Sequence, residues 1–272
     1  MRILFLGDVV GITGCSKLTS SLKSQIEKEK IDFVIVNGEN AAGGFGITKK
    51  ICEEFYELGV DAITTGNHVW DQREIIQHIE KDKRLIRPCN FVSKTPGRGY
   101  GVYQLKDGSK IVVVNVMCRL FMDSLENPFS NLEKIVDEVN LISNDHLIIV
   151  DVHGESTSEK MAIAHFLDGK VTAVVGTHTH IPTSDLQILT NGTFYQTDLG
   201  MCGDYDSVIG MKKELSIKKF LFKHIKTRLE PAEGIGTLSG VMLEIDLKTK
   251  KVINFKQILK DGLLDKENGR TF

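Results

Sequence analysis

Short apolar runs alternate with longer amphipathic segments along the first third of the chain. Runs rich in β-branched residues predict buried strands, and apolar residues spaced three and four apart predict helices. The pattern predicts strands at 2–8, 32–40 and 61–68 and helices at 19–30, 49–59 and 73–82. Strands that alternate with helices at this spacing are typical of an α/β protein.

The rest of the chain is predicted to contain more antiparallel sheet. Asp107-Gly108 and Asn191-Gly192 indicate hairpins within 99–117 and 186–198, since Asp-Gly and Asn-Gly are favoured hairpin turns. Further strands are predicted at 146–153, 170–176, 240–246 and 251–258, and helices at about 131–143 and 158–167. We therefore predict one domain over residues 1–272, with two packed mixed β-sheets flanked by helices. The polar tail from about 260 to 272 is predicted to be loosely held.

Composition and charge narrow the class of function. The 272 residues carry a formal net charge of −2, and the pI is about 6.5. We therefore expect that the protein does not bind long duplex nucleic acid, because such binding needs a positively charged protein surface.

The amino-terminal apolar run is too short for a signal peptide, and no stretch approaches the length of a membrane span. Five widely spaced cysteines form no C-x-x-C pair. We expect a cytoplasmic protein with free thiols and no membrane partner; a homo-oligomer is compatible with this sequence.

Polar residues and glycine stand together at the ends of five predicted strands. These groups are Gly7-Asp8, Gly38-Glu39-Asn40, Gly66-Asn67-His68, His153-Gly154 and Gly176-Thr177-His178-Thr179-His180. Binding sites of open α/β sheets form outside the carboxyl ends of the strands. Carboxylate, amide and imidazole ligands suit iron, manganese, zinc or nickel, so the sequence predicts a divalent metal site.

The charges favour two cations rather than one. Asp8 and Glu39 contribute −2, whereas two divalent ions contribute +4, which leaves the site positive enough for hydroxide and a phosphate. A carboxylate between two ions, with water converted to hydroxide, is how two-metal sites attack phosphate esters. His178 and His180 are two residues apart, so an extended backbone would direct both rings to the same side.

Each of these residues also has a simpler interpretation when it is considered alone. Asp8 could cap a helix or form a turn, and Asn67 could be a turn amide. Glu39 and Asn40 could be ordinary turn residues, and His68 could be a hydrogen-bonded histidine near the core. His178 and His180 could be exposed in a loop. Their combination favours metal binding. The remaining histidines are assigned to helical patterns or polar flanks, namely His78, His146, His165 and His224.

Other motifs receive structural interpretations. The glycine-rich stretch 41–48 lacks a P-loop ending and is predicted to be a flexible turn, with a lid over the site as the alternative. Ser156 and Glu159 have capping-box spacing. Arg87 and Asn115 are expected to form hydrogen bonds at the edge of the core, with substrate contact as the alternative. The basic segment 211–228 is interpreted as a solvated helix face, with nucleotide or membrane contact as the alternative.

Several motifs resemble a known family. "GD", "GNH" and "GTHTH", in this order after strands, resemble the calcineurin-like metallophosphoesterases, which have two-metal sites and a β-sandwich flanked by helices. The match is more specific to the YmdB-like family, bacterial phosphodiesterases that act on cyclic nucleotides. It rests on "MRILFLGDVVG", "VNGENAAGGFGIT", "TTGNHVWD", "RPCNF", "VHGESTSEKMA", "GTHTHIPTSD" and "QTDLGMCG", which together span residues 1 to about 203.

Two positions depart from the broad superfamily. Val10 stands where an Asp-x-His motif would place histidine, and Glu39 replaces the usual bridging aspartate. The YmdB-like pattern shares both departures, so they favour the narrower assignment. They also leave one metal a ligand short, and either Asn40 or water could fill that place.

The resemblance implies a role for each site residue. Glu39 would bridge two divalent cations, with iron expected and manganese or zinc as alternatives. The first cation would be held by Asp8 and His180, and the second by Asn67, His153 and His178. His68 would lie unligated over the phosphate and protonate or stabilise the leaving oxygen.

The predicted activity is metal-dependent hydrolysis of small phosphodiesters by a metal-bound hydroxide. The resemblance implies nucleoside cyclic phosphates as substrates, and 2′,3′-cyclic forms in particular. Two alternatives use the same ligands. One is a regulatory protein that binds a nucleotide or RNA with incidental catalysis, and the other is a phosphomonoesterase.

Overall fold

The computed structural model describes residues 1–105, 108–143, 145–222, 224 and 226–265. The described strands are β1 Arg2–Leu6, β2 Asp8–Val9, β3 Phe33–Asn37, β4 Ala62–Thr64, β5 Tyr100–Gln104, β6 Lys110–Met117, β7 His146–His153, β8 Ala173–Thr177, β9 Gln187–Ile188, β10 Phe194–Gln196, β11 Met201–Asp204, β12 Gly236–Asp246 and β13 Lys251–Lys260. The described helices are α1 Gly11–Glu29, α2 Lys49–Glu57, α3 Ile75–Ile79, α4 Pro128–Ile142, α5 Thr157–Leu167 and α6 Lys213–Leu221, followed late in the chain by a 3₁₀ turn at Gly262–Leu264.

The strands form two mixed sheets. In the first sheet the order is β2-β11-β12-β1-β3-β4, and β13 pairs with β12. β1 is parallel to β3 and antiparallel to β12. In the second sheet the order is β5-β6-β7-β8-β10-β9, with a parallel centre and an antiparallel strand at each edge. The prediction of an α/β protein with two mixed sheets is confirmed.

The two sheets pack face to face through one apolar cluster. Ile3 and Phe5 of β1 contribute to this cluster together with Val113 of β6 and Ile149 of β7, and all four side chains are fully buried. Alternating inward side chains from two sheets are the usual core of a sandwich. Helices α1 to α3 cover the outer face of the first sheet, and α4 and α5 cover that of the second.

The carboxyl ends of the central strands meet at one edge of the sandwich. Asn37, the last residue of β3, donates from its amide to the carboxylate of Asp151 in β7 at 3.1 Å. Thr64, the last residue of β4, donates to the same carboxylate. Polar residues that follow strands of both sheets are therefore brought to a common place.

Both predicted hairpins are present, as the antiparallel pairs β5–β6 and β9–β10. Asp107, in the predicted turn of the first hairpin, lies outside the described residues. In the part of the chain that the structure covers, no helix is both long enough and apolar enough to cross a membrane. The five cysteines are unpaired.

One predicted helix boundary is wrong. α1 begins at Gly11 rather than at residue 19. The buried positions of its first turns are Gly11 and Gly14, which lower helix propensity and give no apolar pattern to follow. Gly14 is required by packing: a Cβ there would lie 2.3 Å from the Cys202 carbonyl oxygen. Helix α1 therefore approaches β11 more closely than any other residue at position 14 would allow.

The predicted tail is only partly described. Residues 260–265 comprise the end of β13 and the 3₁₀ turn, and Lys17 forms an ion pair with Asp261 there. Residues 266–272 lie outside the described part of the chain, so the loosely held tail stays a prediction.

Candidate metal centre

Seven polar residues from five strand ends converge on one volume, which we call the cage. They are Asp8, Glu39, Asn40, Asn67, His153, His178 and His180. Gly66 is part of the reason that they can approach one another. A Cβ at this position would lie 2.2 Å from His153 Nε2 and 2.3 Å from Glu39 Oε2, so any other residue would obstruct the cage.

One half of the cage is centred on His153 Nε2. This nitrogen lies 2.9 Å from Glu39 Oε1, 3.1 Å from Asn67 Oδ1 and 3.1 Å from His178 Nδ1. Glu39, His153 and His178 form a group in which one potential ligand atom from each lies within 4.8 Å of the others. Donor atoms that share a cation at about 2.1 Å lie roughly 3.0–3.4 Å apart. The separations therefore match the edges of a coordination sphere.

The other half of the cage contains Asp8, Asn40 and His180. His180 Nε2 lies 3.3 Å from Asn40 Oδ1 and 4.0 Å from Asp8 Oδ1. Asp8 Oδ1 is also 3.9 Å from His153 Nδ1, so this half adjoins the first. The other oxygen of Asp8 accepts a hydrogen bond from the backbone N–H of His178 at 3.0 Å, which fixes the carboxylate in the cage.

Two carboxylate oxygens of the cage have no hydrogen-bond donor among the described residues. They are Asp8 Oδ1 and Glu39 Oε1, and both side chains are buried. Glu39 Oε1 touches His153 Nε2, but the contact lacks the alignment of a hydrogen bond. A buried carboxylate oxygen without a hydrogen-bond donor is costly, and a bound cation would compensate for it. The cage residues thus fit the divalent cations that the sequence predicts.

Glu39 and His153 alter each other's ionisation inside the cage. Burial opposes ionisation of Glu39 and of His153, but their mutual attraction outweighs it, so the pKa of Glu39 is lowered and that of His153 is raised. Burial, reinforced by the adjacent His153, lowers the pKa of His178 to about 3. A histidine must be neutral to bind a cation, so metal binding at His153 would displace a proton.

The backbone of the two neighbouring histidines differs from the extended conformation expected. His178 has φ +98° and His180 has φ +66°, in the left-handed region that non-glycine residues seldom adopt. The expected extended geometry is therefore wrong, although both rings reach the cage. Backbone strain of this kind is common at functional sites, where the surrounding structure must hold it in place.

A buried ion pair holds this turn. Lys160 of α5 donates to the Thr177 carbonyl oxygen at 2.7 Å and to Asp198 at 2.8 Å, and both side chains are fully buried. The Asp198 carboxylate also accepts from the backbone N–H of Thr179 at 3.1 Å. The sequence analysis missed this pair, since a lysine within a helical pattern is normally exposed.

Two further contacts orient the ring nitrogens of the cage histidines. His180 Nδ1 lies 2.8 Å from the Ile209 carbonyl oxygen, which can only accept, so Nδ1 carries the proton and Nε2 faces the cage. His153 Nδ1 lies 2.9 Å from Thr177 Oγ1, and that hydroxyl donates to Asp151 at 2.7 Å. Partners of this kind fix the tautomer of metal-binding histidines. Sequence analysis did not identify Asp151, Thr177 or Ile209 as partners of the site.

His68 lies at the rim of the cage. Its Nδ1 is 2.9 Å from Asp71 Oδ2, and its ring meets that of Phe45 edge-on at 5.1 Å. Its backbone N–H donates to Glu39 Oε2 at 3.1 Å, which ties the loop to the cage carboxylate. The partly exposed ring is thus oriented by Asp71 next to the cage.

Three other sequence interpretations can be compared with the structure. Ser156 accepts from the backbone N–H of Glu159, the first half of a capping box, but the Glu159 carboxylate binds the N–H groups of Arg119 and Leu120 instead. Arg87 donates to backbone carbonyl oxygens that include Pro96, as expected for a structural role. The same holds for Asn115, whose side-chain oxygen accepts from the Thr65 N–H.

A cavity of about 540 Å³ opens over the cage. Cage residues and His68 line one part of it, and Phe45 brings the glycine-rich turn to its edge. The remaining lining comes from helix α6, through Ser216, Lys219 and Phe220, and from Glu155, Thr179, Ile181, Val208, Ile209, Met211 and Leu229. This volume falls within the range of about 300–1,000 Å³ that is typical of small-molecule sites.

The sequence of this chain is similar to those of known proteins over nearly its whole length. The family model described as YmdB-like protein matches residues 4–258. The chain is 44% identical to the 2′,3′-cyclic-nucleotide 2′-phosphodiesterase of Bacillus subtilis over 259 residues, which cover 95% of this chain and 97% of that protein.

Solved structures give the same result. A hypothetical protein from Thermus thermophilus superposes with a TM-score of 0.88 at 38% identity, covering 95% of this chain and 98% of that one. A novel phosphatase from Mycoplasma pneumoniae gives 0.87 at 37% identity, covering 97% and 95%. The family match over nearly the whole chain, together with these relatives, confirms the resemblance carried by the motifs: this protein belongs to the YmdB-like family.

Proposed function

We propose that the protein is a metal-dependent phosphodiesterase that hydrolyses nucleoside 2′,3′-cyclic phosphates. The observation that carries the proposal is the pair of buried carboxylate oxygens, Asp8 Oδ1 and Glu39 Oε1, left without hydrogen-bond donors inside a cage of imidazoles and amides. The relative from Bacillus subtilis, named as a 2′,3′-cyclic-nucleotide 2′-phosphodiesterase, supports this substrate class.

The two halves of the cage suggest how two cations would be shared. Asp8, Asn40 and His180 would hold one cation, and Glu39 would lie between the two. The second cation would be held by Asn67, His153 and His178. When bound, two divalent cations neutralise phosphate charge and make water a competent nucleophile near neutral pH. The mixed oxygen and nitrogen donors suit iron, manganese or zinc, and iron is the cation that the family resemblance implies.

The chain itself would contribute orientation and proton transfer. Glu39 accepts the backbone N–H of His68, so the residue that holds the cations also positions the rim histidine. Asp71 binds one ring nitrogen of His68 and leaves the other available for the leaving ribose oxygen. His68 would then protonate that oxygen as the ester bond breaks.

The activity can be tested with protein purified without chelator. We expect adenosine 2′,3′-cyclic phosphate to be converted to a monoester, and we expect activity to be lost with EDTA and restored by added iron or manganese. Chromatographic separation of the products measures this. Metal-loaded protein that binds the cyclic nucleotide without releasing monoester would favour the regulatory alternative, and faster release of phosphate from monoesters would favour the phosphomonoesterase.

Thr177 provides a test of the ligand assignment that does not depend on turnover. Thr177→Val removes the hydroxyl that links His153 to Asp151, and we expect the cations to bind about 10- to 100-fold more weakly. Competitive metal titration against a chelating dye measures the change. Thr177→Ser keeps the hydroxyl and should retain wild-type affinity. Unchanged affinity in Thr177→Val would contradict the role of His153 as a ligand.

A further inference from the structure

The cavity over the cage is lined by two chemically different groups of side chains. Polar side chains of the cage and its rim, such as His68 and His178, form one group. The other group is apolar and consists of Ile181, Val208, Ile209, Met211, Phe220 and Leu229, with Ser216 and Lys219 of α6 beside it. A cyclic phosphate held by the cage does not account for this apolar lining, so another part of the ligand would contact it.

Three of the apolar side chains that line the cavity are exposed to solvent, namely Ile181, Ile209 and Phe220. Ile209 is 50% exposed and Phe220, on α6, is 72% exposed. Single exposed apolar residues are ordinary on a protein surface. Ile209 and Phe220, by contrast, line one cavity together with Ile181 and the polar residues of the cage. An apolar cavity with a few polar groups is the arrangement expected of a small-molecule pocket.

The backbone at Ile209 strengthens this interpretation. Val208 and Met211 exchange two backbone hydrogen bonds across a tight turn, in which Ile209 has φ +47° and Gly210 has φ +89°. Asparagine or glycine is favoured at such a position, and a β-branched residue is strained there. The Ile209 carbonyl orients His180, but any residue could supply that carbonyl. The contact with His180 therefore does not explain why isoleucine, rather than asparagine or glycine, occupies this strained position.

We propose that Ile181, Ile209 and Phe220 form the nucleobase subsite of the enzyme, with the base held against their apolar surfaces while the cyclic phosphate lies at the cage. This inference rests on the proposed function. It gives the strained isoleucine and the exposed phenylalanine one role. It also places base recognition on apolar contact, so removing the base should matter more than exchanging adenine for guanine.

The test compares substrates with and without a base. Phe220→Ala should raise KM for adenosine 2′,3′-cyclic phosphate about 10-fold, since contact between an aromatic side chain and a base contributes on this scale. KM for methyl ribofuranoside 2,3-cyclic phosphate, which has no base, should stay at its wild-type value. Leu221→Ala is the matched control, because Leu221 is the next residue of α6 and is 69% exposed but does not line the cavity.

Ile209→Asn supplies an independent variant. Asparagine tolerates positive φ, so the turn should keep its stability while the apolar surface is lost. We expect a thermal midpoint no lower than wild type, together with a KM that rises more for the nucleotide than for the substrate without a base. Calorimetric titration of the manganese-loaded proteins with adenosine 3′-monophosphate should show the same loss of affinity, with no change for inorganic phosphate.

The outcomes separate this inference from the function on which it rests. If wild-type protein hydrolyses neither substrate, the proposed function is wrong, and the calorimetric titrations still test the subsite. The subsite is overturned if Phe220→Ala affects both substrates equally, or if it changes neither KM. A change of oligomeric state in Phe220→Ala without a change in KM would also overturn it, because the surface would then contact a second copy of the chain.

Discussion

Replacing His68 by alanine is expected to lower kcat for adenosine 2′,3′-cyclic phosphate by about 10²–10⁴-fold, the usual contribution of a general acid. We expect His68→Ala to lose proton transfer in the catalytic step while it keeps its bound cations. His68 reaches the cage through its backbone N–H, which alanine retains, while its ring is held by Asp71 and Phe45 at the rim. Steady-state kinetics and metal analysis of the same preparation measure both quantities.

Asp71→Asn serves as the companion variant for His68. It keeps the imidazole but weakens its orientation, so kcat should fall less than in His68→Ala while KM stays near the wild-type value. Loss of bound metal from His68→Ala would contradict the assignment and make His68 a ligand.

Glu39→Ala is expected to affect cation binding more strongly than His68→Ala. This change removes the carboxylate between the two halves of the cage and leaves His153 without its nearest charged partner. We expect fewer than one tightly bound cation per chain. We also expect a fall in turnover of at least about 10³-fold, because bound cations supply several kcal/mol of transition-state stabilisation and each 1.36 kcal/mol is tenfold in rate.

Glu155→Ala is the matched control for Glu39. Glu155 also lies near a cage histidine, 3.5 Å from His178 Nε2, but its side chain is 55% exposed, whereas that of Glu39 is buried. Metal analysis of the two variants side by side should show cations retained in Glu155→Ala and lost in Glu39→Ala. Full metal content in Glu39→Ala would contradict the bridging role.

The sequence was sufficient to predict the fold class and the residues that converge. Hydrophobic periodicity placed most strands and helices, because their apolar faces are buried in a regular sandwich. The start of α1 was missed, since Gly11 and Gly14 serve close packing rather than helix propensity. Glycine beside each polar strand end was an informative signal, and Gly66 shows its reason in the contacts that a Cβ would make with the cage.

What the sequence could not predict depends on contacts between distant segments. Thr177 and Asp151 orient His153 from neighbouring strands, and neither carries a local pattern that indicates this role. The carbonyl of Ile209 orients His180 from a turn 29 residues away. The left-handed backbone of His178 is imposed by tertiary packing, including the buried contact of Lys160 with the Thr177 carbonyl oxygen. Only coordinates could reveal these relations.

The central claim is that the cage binds a pair of divalent cations, and metal stoichiometry tests it most directly. Wild-type protein purified without chelator and analysed by inductively coupled plasma mass spectrometry should contain two transition-metal ions per chain. Anomalous diffraction from the same preparation should place both ions among Asp8, Glu39, His153, His178 and His180. A single ion, no ion, or ions bound elsewhere would contradict the account.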